Sequence, residues 1–240
     1  MTPTITSPHN DRIKAVRRLQ RAQERRATGQ TLVEGPNVLA VAIAAGVIPE
    51  VIFFAEGDSP PVVDTEVIAV SDSVLDAIAP TETPRGPVAV LSIPAPAPLQ
   101  AKSTVVLWEV STPGNVGTLI RTAAGFGWNF ARHGGADPWS PKVLRAGAGA
   151  HFSVPISQVE HVGELRANGL APVATVSAGG VAPDTMDIDR PVALLVGNEA
   201  TGLPDEVVDA TDASLTIPVP GFESLSAAVA GSIAMYALRR

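Results

Sequence analysis

Three apolar runs, Thr104 to Val110, Pro191 to Val196 and Ser214 to Val219, each end in a turn that sets glycine beside hydroxyl or amide side chains. Short uninterrupted apolar runs suit strands buried on both faces, as in a parallel sheet covered by helices. Glycine lets a backbone turn sharply or approach a ligand closely, and open α/β sheets bind ligands outside the carboxyl ends of their strands. The pattern predicts an α/β fold for the C-terminal half, with its site at one end of the sheet. Asn129 to Arg132 and Pro172 to Val176 are the further strands of this half, and helical stretches alternate with them.

After the first run, Ser111-Thr112-Pro113-Gly114 reads as a turn, with Asn115 as the N-cap of a helix. On a 3.6-residue wheel Val116, Leu119, Ile120, Ala123 and Phe126 form the core stripe, while Gly117, Arg121 and Ala124 lie away from it. Arg121 is the one charged side chain in a helix otherwise built of small and apolar residues, and it overhangs a glycine. The second run leads into Gly197-Asn198-Glu199-Ala200-Thr201-Gly202, and the third into Pro220-Gly221-Phe222-Glu223-Ser224-Leu225-Ser226 and a final helix. That helix is apolar nearly all round, through Leu225, Ala228, Val229, Ile233, Tyr236 and Leu238. It calls for burial, in part against a second subunit.

In these ordered motifs the chain resembles the SpoU (TrmH) family of RNA ribose 2′-O-methyltransferases, within the SPOUT superfamily. Asn115, Gly117, Arg121 and Ala123 match its first motif, Gly197, Asn198, Glu199 and Gly202 its second, and Ile217, Pro218, Glu223, Ser224 and Leu225 its third. Pro141-Lys142-Val143-Leu144-Arg145 is similar to the family's Pro-Lys segment with its arginine. Ser226 stands where the family usually has asparagine, and Ser111-Thr112 where it often carries an acidic residue. The resemblance implies a deeply knotted (trefoil) C-terminal domain, a homodimer, and S-adenosylmethionine as cofactor. It also implies the site: Asn115, Arg121, Glu199 and Ser224 as catalytic residues, with Thr175, Gly197, Asn198, Ile217, Leu225 and Ser226 around the cofactor. Of these, Arg121 would stabilise the developing alkoxide or hold a phosphate, since a guanidinium is almost never deprotonated. Glu199 would orient Arg121 or receive the proton.

A Pro/Ala-rich stretch, Ser92 to Leu99, breaks the chain in two. The expected organisation is an RNA-binding domain over 1–92, a linker over 93–100 and the catalytic domain over 101–240. In the first, strands at Leu32-Val33, Val51 to Phe54, Val67 to Val70 and Val88 to Ile93 alternate with helices at Pro36 to Ala45 and Asp72 to Ala79. A small α/β sandwich follows, which resembles the L30e-like substrate-binding domain of rRNA-modifying members of the family.

A net charge of −7 over 240 residues argues against a polyanionic partner, but its distribution does not. Before residue 31 seven arginines and lysines face two acidic residues, a local charge of +5 that leaves −12 for the remainder. They lie on a predicted helix that rests on Ile13, Val16 and Leu19 and stops at Gly29. Local charge, not the total, sets the field at a ligand. Arg12, Lys14, Arg17, Arg18 and Arg21 are therefore candidate RNA contacts, and the resemblance adds Arg145, from a partner subunit. The chain has no cysteine, and its four histidines lack metal spacing, so no metal is expected. With no apolar signal core and no membrane-length run, a cytoplasmic protein is expected, and the resemblance, together with the basic N-terminal helix and added domain, implies that it is an enzyme acting on ribosomal RNA. A transfer-RNA methyltransferase and a non-catalytic RNA-binding member of the same fold are the alternatives.

Overall fold

The computed structural model describes residues 4–59, 62–81, 83–84, 86–219, 221 and 225–239, so Glu223 and Ser224 lie outside the described residues. The chain forms two compact units, Met1–Ala95 with Asp137–Phe152, and Pro96–Ala136 with Ser153–Arg240. Its helices are α1 (Asp11–Arg18), α2 (Ala22–Thr28), α3 (Pro36–Ala44), α4 (Asp72–Ile78), α5 (Pro113–Phe126), α6 (Pro141–Ala146), α7 (Val162–Ala167), α8 (Asp205–Asp209) and α9 (Ala227–Ala237). Among the described residues, no helix is long and apolar enough to cross a membrane.

In the first unit β1 (Gln30–Glu34), β2 (Val51–Ala55), β3 (Glu66–Val70) and β4 (Val88–Ser92) form a sheet in the order β1-β4-β2-β3. Only β2 and β3 run parallel. Period-two alternation splits the strands between two cores. Leu32, Phe53, Val88 and Val90 meet Ile13, Val16 and Leu19 around α1 and Val74, Leu75 and Ile78 of α4. Val33, Ile52, Ala89 and Leu91 meet Val38, Leu39 and Ala42 of α3 and Leu144 of α6. The segment 137–152, placed by sequence in the second domain, thus packs with the first unit.

The basic run is two helices rather than one, broken at Leu19 to Arg21, though the second does end on Gly29 in the left-handed conformation. The break frees the carbonyls of Leu19 and Gln20, which accept from Arg25 Nη1 at 3.0 and 2.9 Å. The rest of that guanidinium pairs with Asp137, at 3.0 Å from Nε and 2.6 Å from Nη2. Arg25 is 3 % exposed. A side chain that counts as surface charge in the sequence is therefore an internal strut, which ties the loop before α6 to α2. Thr31 Oγ1 adds a bond to the Trp139 carbonyl at 2.6 Å.

In the second unit β5 (Thr104–Trp108), β6 (Asn129–His133), β7 (Ile156–Gln158), β8 (Ala171–Thr175), β9 (Val192–Val196) and β10 (Ala213–Leu215) make a wholly parallel sheet, ordered β10-β8-β9-β5-β6-β7. The central β5 and β9 are buried at every residue, as their unbroken apolar runs require. β7 is too short to register as a strand by pattern. The third apolar run pairs only through Leu215, so Ile217 to Val219 are loop, where Pro218 offers no N–H to a ladder.

Removing one partner of a buried pair leaves the other charge uncompensated, which typically costs about 3 kcal/mol or more. Asp137→Ala is therefore expected to lower stability by about 3 kcal/mol, read from the urea midpoint of the full chain. A change within about 0.5 kcal/mol, the range of ordinary surface substitutions, would show that Arg25 does not depend on Asp137.

Candidate active site

Helix α5 begins three residues earlier than its sequence suggests, at Pro113 with Thr112 as N-cap, and Asn115 lies inside its first turn. Proline suits the first helical position, because its missing N–H would have no helical partner there. Neither Thr112 nor another residue of α5 caps this end with its own side chain. Glu199 does so from the turn after β9. Its Oε2 accepts from the Ser111 N–H and Oγ, both at 3.1 Å, and its Oε1 from the Thr112 N–H at 3.0 Å and Asn115 Nδ2 at 2.9 Å. A carboxylate at a helix N-terminus also meets the positive end of the helix dipole.

Burial pushes the Glu199 carboxyl upward, but the bonds from Asn115, Ser111 and Thr112 outweigh it and hold the group at about 2. With four donors on two oxygens it is a poor proton acceptor. Its bonds go to Ser111, Thr112 and Asn115, not to the Arg121 side chain that the sequence set beside it. Asn198 is committed as well: its Nδ2 donates to the Glu109 carbonyl at 2.9 Å, and its Oδ1 accepts from Ala200 N at 2.9 Å and Thr201 N at 3.3 Å. The Asn198 and Gly202 main chains pair in both directions, at 3.1 and 2.9 Å. That closes the turn so tightly that a Cβ on Gly197 would stand 2.3 Å from the Gly202 carbonyl carbon. Only glycine fits there.

Arg121 lies two turns along α5, exposed, with no hydrogen bond or ion pair among the described residues. Gly117 is buried and Phe126 is 37 % exposed, the reverse of their places on the wheel. At the neighbouring strand ends, Thr175 Oγ1 donates to the Leu195 carbonyl at 2.8 Å, so this hydroxyl ties β8 to β9. Thr216, which the sequence did not single out, accepts from Gly180 N at 2.9 Å and donates to the Val176 carbonyl at 3.2 Å, linking the turns after β8 and β10. Ile217 and Leu225 are half-buried beside them in the chain's turns. Ser226 caps α9, its Oγ accepting from the Val229 N–H at 3.4 Å.

In the first unit the basic side chains divide. Arg12 makes a two-fold bond to Glu66, Lys14 pairs with Asp11 at 3.0 Å and Arg18 with Glu24 at 2.8 Å. Arg17, Arg21 and Arg145 are exposed and have no such partner among the described residues. Among those residues, no cluster of three His, Asp or Glu could hold a metal.

Residues 102–236 match the model of the SpoU rRNA Methylase family, and residues 10–89 that of the MRM3-like substrate binding domain. A 23S rRNA (guanosine(2553)-2′-O)-methyltransferase of Bacillus subtilis is 32 % identical, with 98 % of each chain covered. An AdoMet-bound rRNA methyltransferase from Sinorhizobium meliloti superposes with a TM-score of 0.88 at 29 % identity, over 99 % of this chain and 97 % of that one. The SpoU methyltransferase AviRb from Streptomyces viridochromogenes, in complex with AdoMet, gives 0.86 at 27 % identity over 96 % and 97 %.

Because the folded Glu199 titrates below its ordinary value of 4.5, its stabilising charge is fully present above that pH and is lost as pH falls toward 2. Glu199→Gln is therefore expected to be less stable than wild type at neutral pH, with the difference shrinking to nothing across that acid window. Thermal unfolding followed at stepped pH measures it. A difference that stays constant with pH would show that the four bonds do not depend on the charge.

Proposed function

We infer, since the chain belongs to the SpoU rRNA methylase family, that it transfers a methyl group from S-adenosylmethionine to a ribose 2′-hydroxyl of ribosomal RNA. The observation that carries this reading is the clamp itself. Gly197-Asn198-Glu199 is bonded to the start of the helix that bears Asn115 and Arg121, at the carboxyl end of a parallel sheet.

The residues present fit the cofactor. The turns after β8, β9 and β10 follow neighbouring strands and carry glycines, and Ile217 and Leu225 offer half-buried aliphatic surface for an adenosine. Thr175, Gly197, Asn198, Ile217, Leu225 and Ser226 would hold it, Thr175, Asn198 and Ser226 by shaping the turns rather than by free side-chain donors. When bound, the cofactor supplies an electrophilic methyl group. Arg121 keeps its charge throughout and offers a planar fork to a phosphate and to the oxygen that becomes anionic. Asn115 presents its amide to Glu199 and so fixes the first turn of the helix that aims Arg121. Ser224 belongs to the same proposal, as a further phosphate or hydroxyl contact. Positioning and electrostatics supply the catalysis, and Glu199 takes no proton at neutral pH.

The same reading includes a cytoplasmic homodimer carrying the family's trefoil knot. Val229, Ile233 and Tyr236 of α9 are 46, 40 and 55 % exposed in the single chain, which leaves an apolar face for a second subunit to cover, and Phe126 of α5 packs on Tyr236. An apolar patch of this kind suits a second copy of the chain. For RNA, Arg17, Arg21 and Arg145, exposed and without a hydrogen bond or ion pair among the described residues, lead the set of phosphate contacts, with Arg12, Lys14 and Arg18 each paired to a carboxylate.

Arg121→Ala is expected to cut methyl transfer about 100- to 1,000-fold with cofactor affinity unchanged. Arg121→Lys should recover little, because a point charge lacks the fork. Tritium transfer to rRNA and calorimetry with the cofactor measure both; wild-type rates in the two variants would remove Arg121 from the mechanism. Deleting residues 1–30 would strip Ile13, Val16 and Leu19 from a core, so the basic helices are tested by substitution. Arg17→Ala with Arg21→Ala is expected to leave cofactor affinity and stability unchanged and to flatten the salt dependence of rRNA binding, by roughly 1 to 2 in the log–log slope. An unaltered slope would return these arginines to bulk solvent.

A further inference from the structure

Glu109 stands one residue beyond β5 with φ +54°, one of two non-glycine residues in the left-handed region among those described. Any side chain is disfavoured there relative to glycine. The main chain is held on both sides: the Glu109 N–H donates to the His133 carbonyl at 2.8 Å, and its carbonyl accepts from Asn198 Nδ2 at 2.9 Å. The turn after β6 closes around it. A Cβ on Gly135 would stand 2.3 Å from the Val110 carbonyl oxygen, and one on Gly134 would stand 3.3 Å from Glu109 Cγ. A glutamate therefore occupies a backbone position that favours glycine. Its carboxylate is exposed, with no hydrogen bond or ion pair among the described residues.

A carboxylate beside a polyanion repels phosphates, so a useful partner in RNA is a neutral donor on a base. We propose that Glu109 reads a guanine of the RNA substrate, its two oxygens accepting from N1–H and N2–H; this rests on the methyltransferase reading above. Guanine is the standard base that sets two adjacent donors on its Watson–Crick edge, and unstacked RNA bases are recognised on that edge. The strand order supports RNA over cofactor as the partner. The cofactor turns follow β8, β9 and β10, and although the Glu109 carbonyl is bonded to Asn198 in one of them, its side chain lies against Gly134 in the turn after β6, on the other side of β5.

The test uses the full chain as wild type, Glu109→Gly and Glu109→Gln, with 23S rRNA transcripts made with guanosine or with inosine, which lacks the N2 amino group. Wild type is expected to lose about 10- to 100-fold in kcat/KM on the inosine transcript, as for a bond to a charged acceptor. Glu109→Gly should treat both transcripts alike at the lower rate, with a melting midpoint equal to or above wild type and unchanged cofactor affinity. Glu109→Gln should also fall on the guanosine transcript, because its amide turns a donor toward a donor. Discrimination that persists in Glu109→Gly would overturn the proposal. So would a loss of cofactor affinity in either variant, which would assign the carboxylate to the cofactor's ammonium group. A wild-type chain inert on both transcripts would instead overturn the methyltransferase reading, and this proposal with it.

Discussion

One carboxylate organises the candidate site. Glu199 gathers four donors from the loop after β5 and the first turn of α5, so the helix that presents Arg121 starts in a place set by the neighbouring strand's turn. Without it, N–H groups at that helix start and the Asn115 amide would need other partners. Ser111 and Thr112 stand where the family resembled in sequence often carries an acidic residue, and here the carboxylate at the helix start is Glu199 from the turn after β9. The same bonds hold the Glu199 carboxyl near 2, so it stays ionised at neutral pH while it fixes the turn.

The clamp works because of strand order. β9 and β5 are neighbours in a wholly parallel sheet, so their carboxyl ends open on the same edge and their turns can bond directly. Hydroxyls repeat the device along that edge. Thr175 ties β8 to β9 and Thr216 ties the turns after β8 and β10, each using a side chain where the ladder has ended. Ser226 then caps α9, a task that needs only an acceptor at short reach, which a hydroxyl provides as well as an amide does. Substituting asparagine by serine at this place leaves the local fold satisfied.

The fold was legible wherever a pattern had one physical cause. Apolar runs buried on both faces showed as β5 and β9, and alternation showed the strands of the first unit, because burial alone dictates both. Legibility failed where tertiary partners decide. Gly117 and Phe126 exchanged roles because α5 packs on α9 as well as on the sheet, a second neighbour that a helical wheel does not contain. Segment 137–152 was assigned by continuity, whereas its place is set by Arg25, more than a hundred residues away in sequence. The motif residues were found as a set, but the partner of Glu199 was not, since spacing says which residues share a turn and nothing about which turn another strand brings alongside. Glu109 was legible only as an acid slightly ahead of the Asn-x-Gly turn, because its distinction is a backbone angle.

Charge shows the same limit and points to how the reaction is run. Counting basic residues treats each as an equal contributor to an RNA-binding field, yet Arg25 is spent inside the fold and Arg12 and Arg18 are neutralised by Glu66 and Glu24. Among the described residues, Arg17, Arg21, Arg145 and Arg121 are exposed guanidinium groups without such a partner. A paired arginine would have to break an existing bond before stabilising new negative charge, and that reorganisation would subtract from catalysis. Arg121 has no such bond among the described residues, while the helix beneath it is fixed at its start by Glu199. A charge without a standing partner on a fixed support is the arrangement by which the proposed role, electrostatic stabilisation of an alkoxide, would work with little reorganisation.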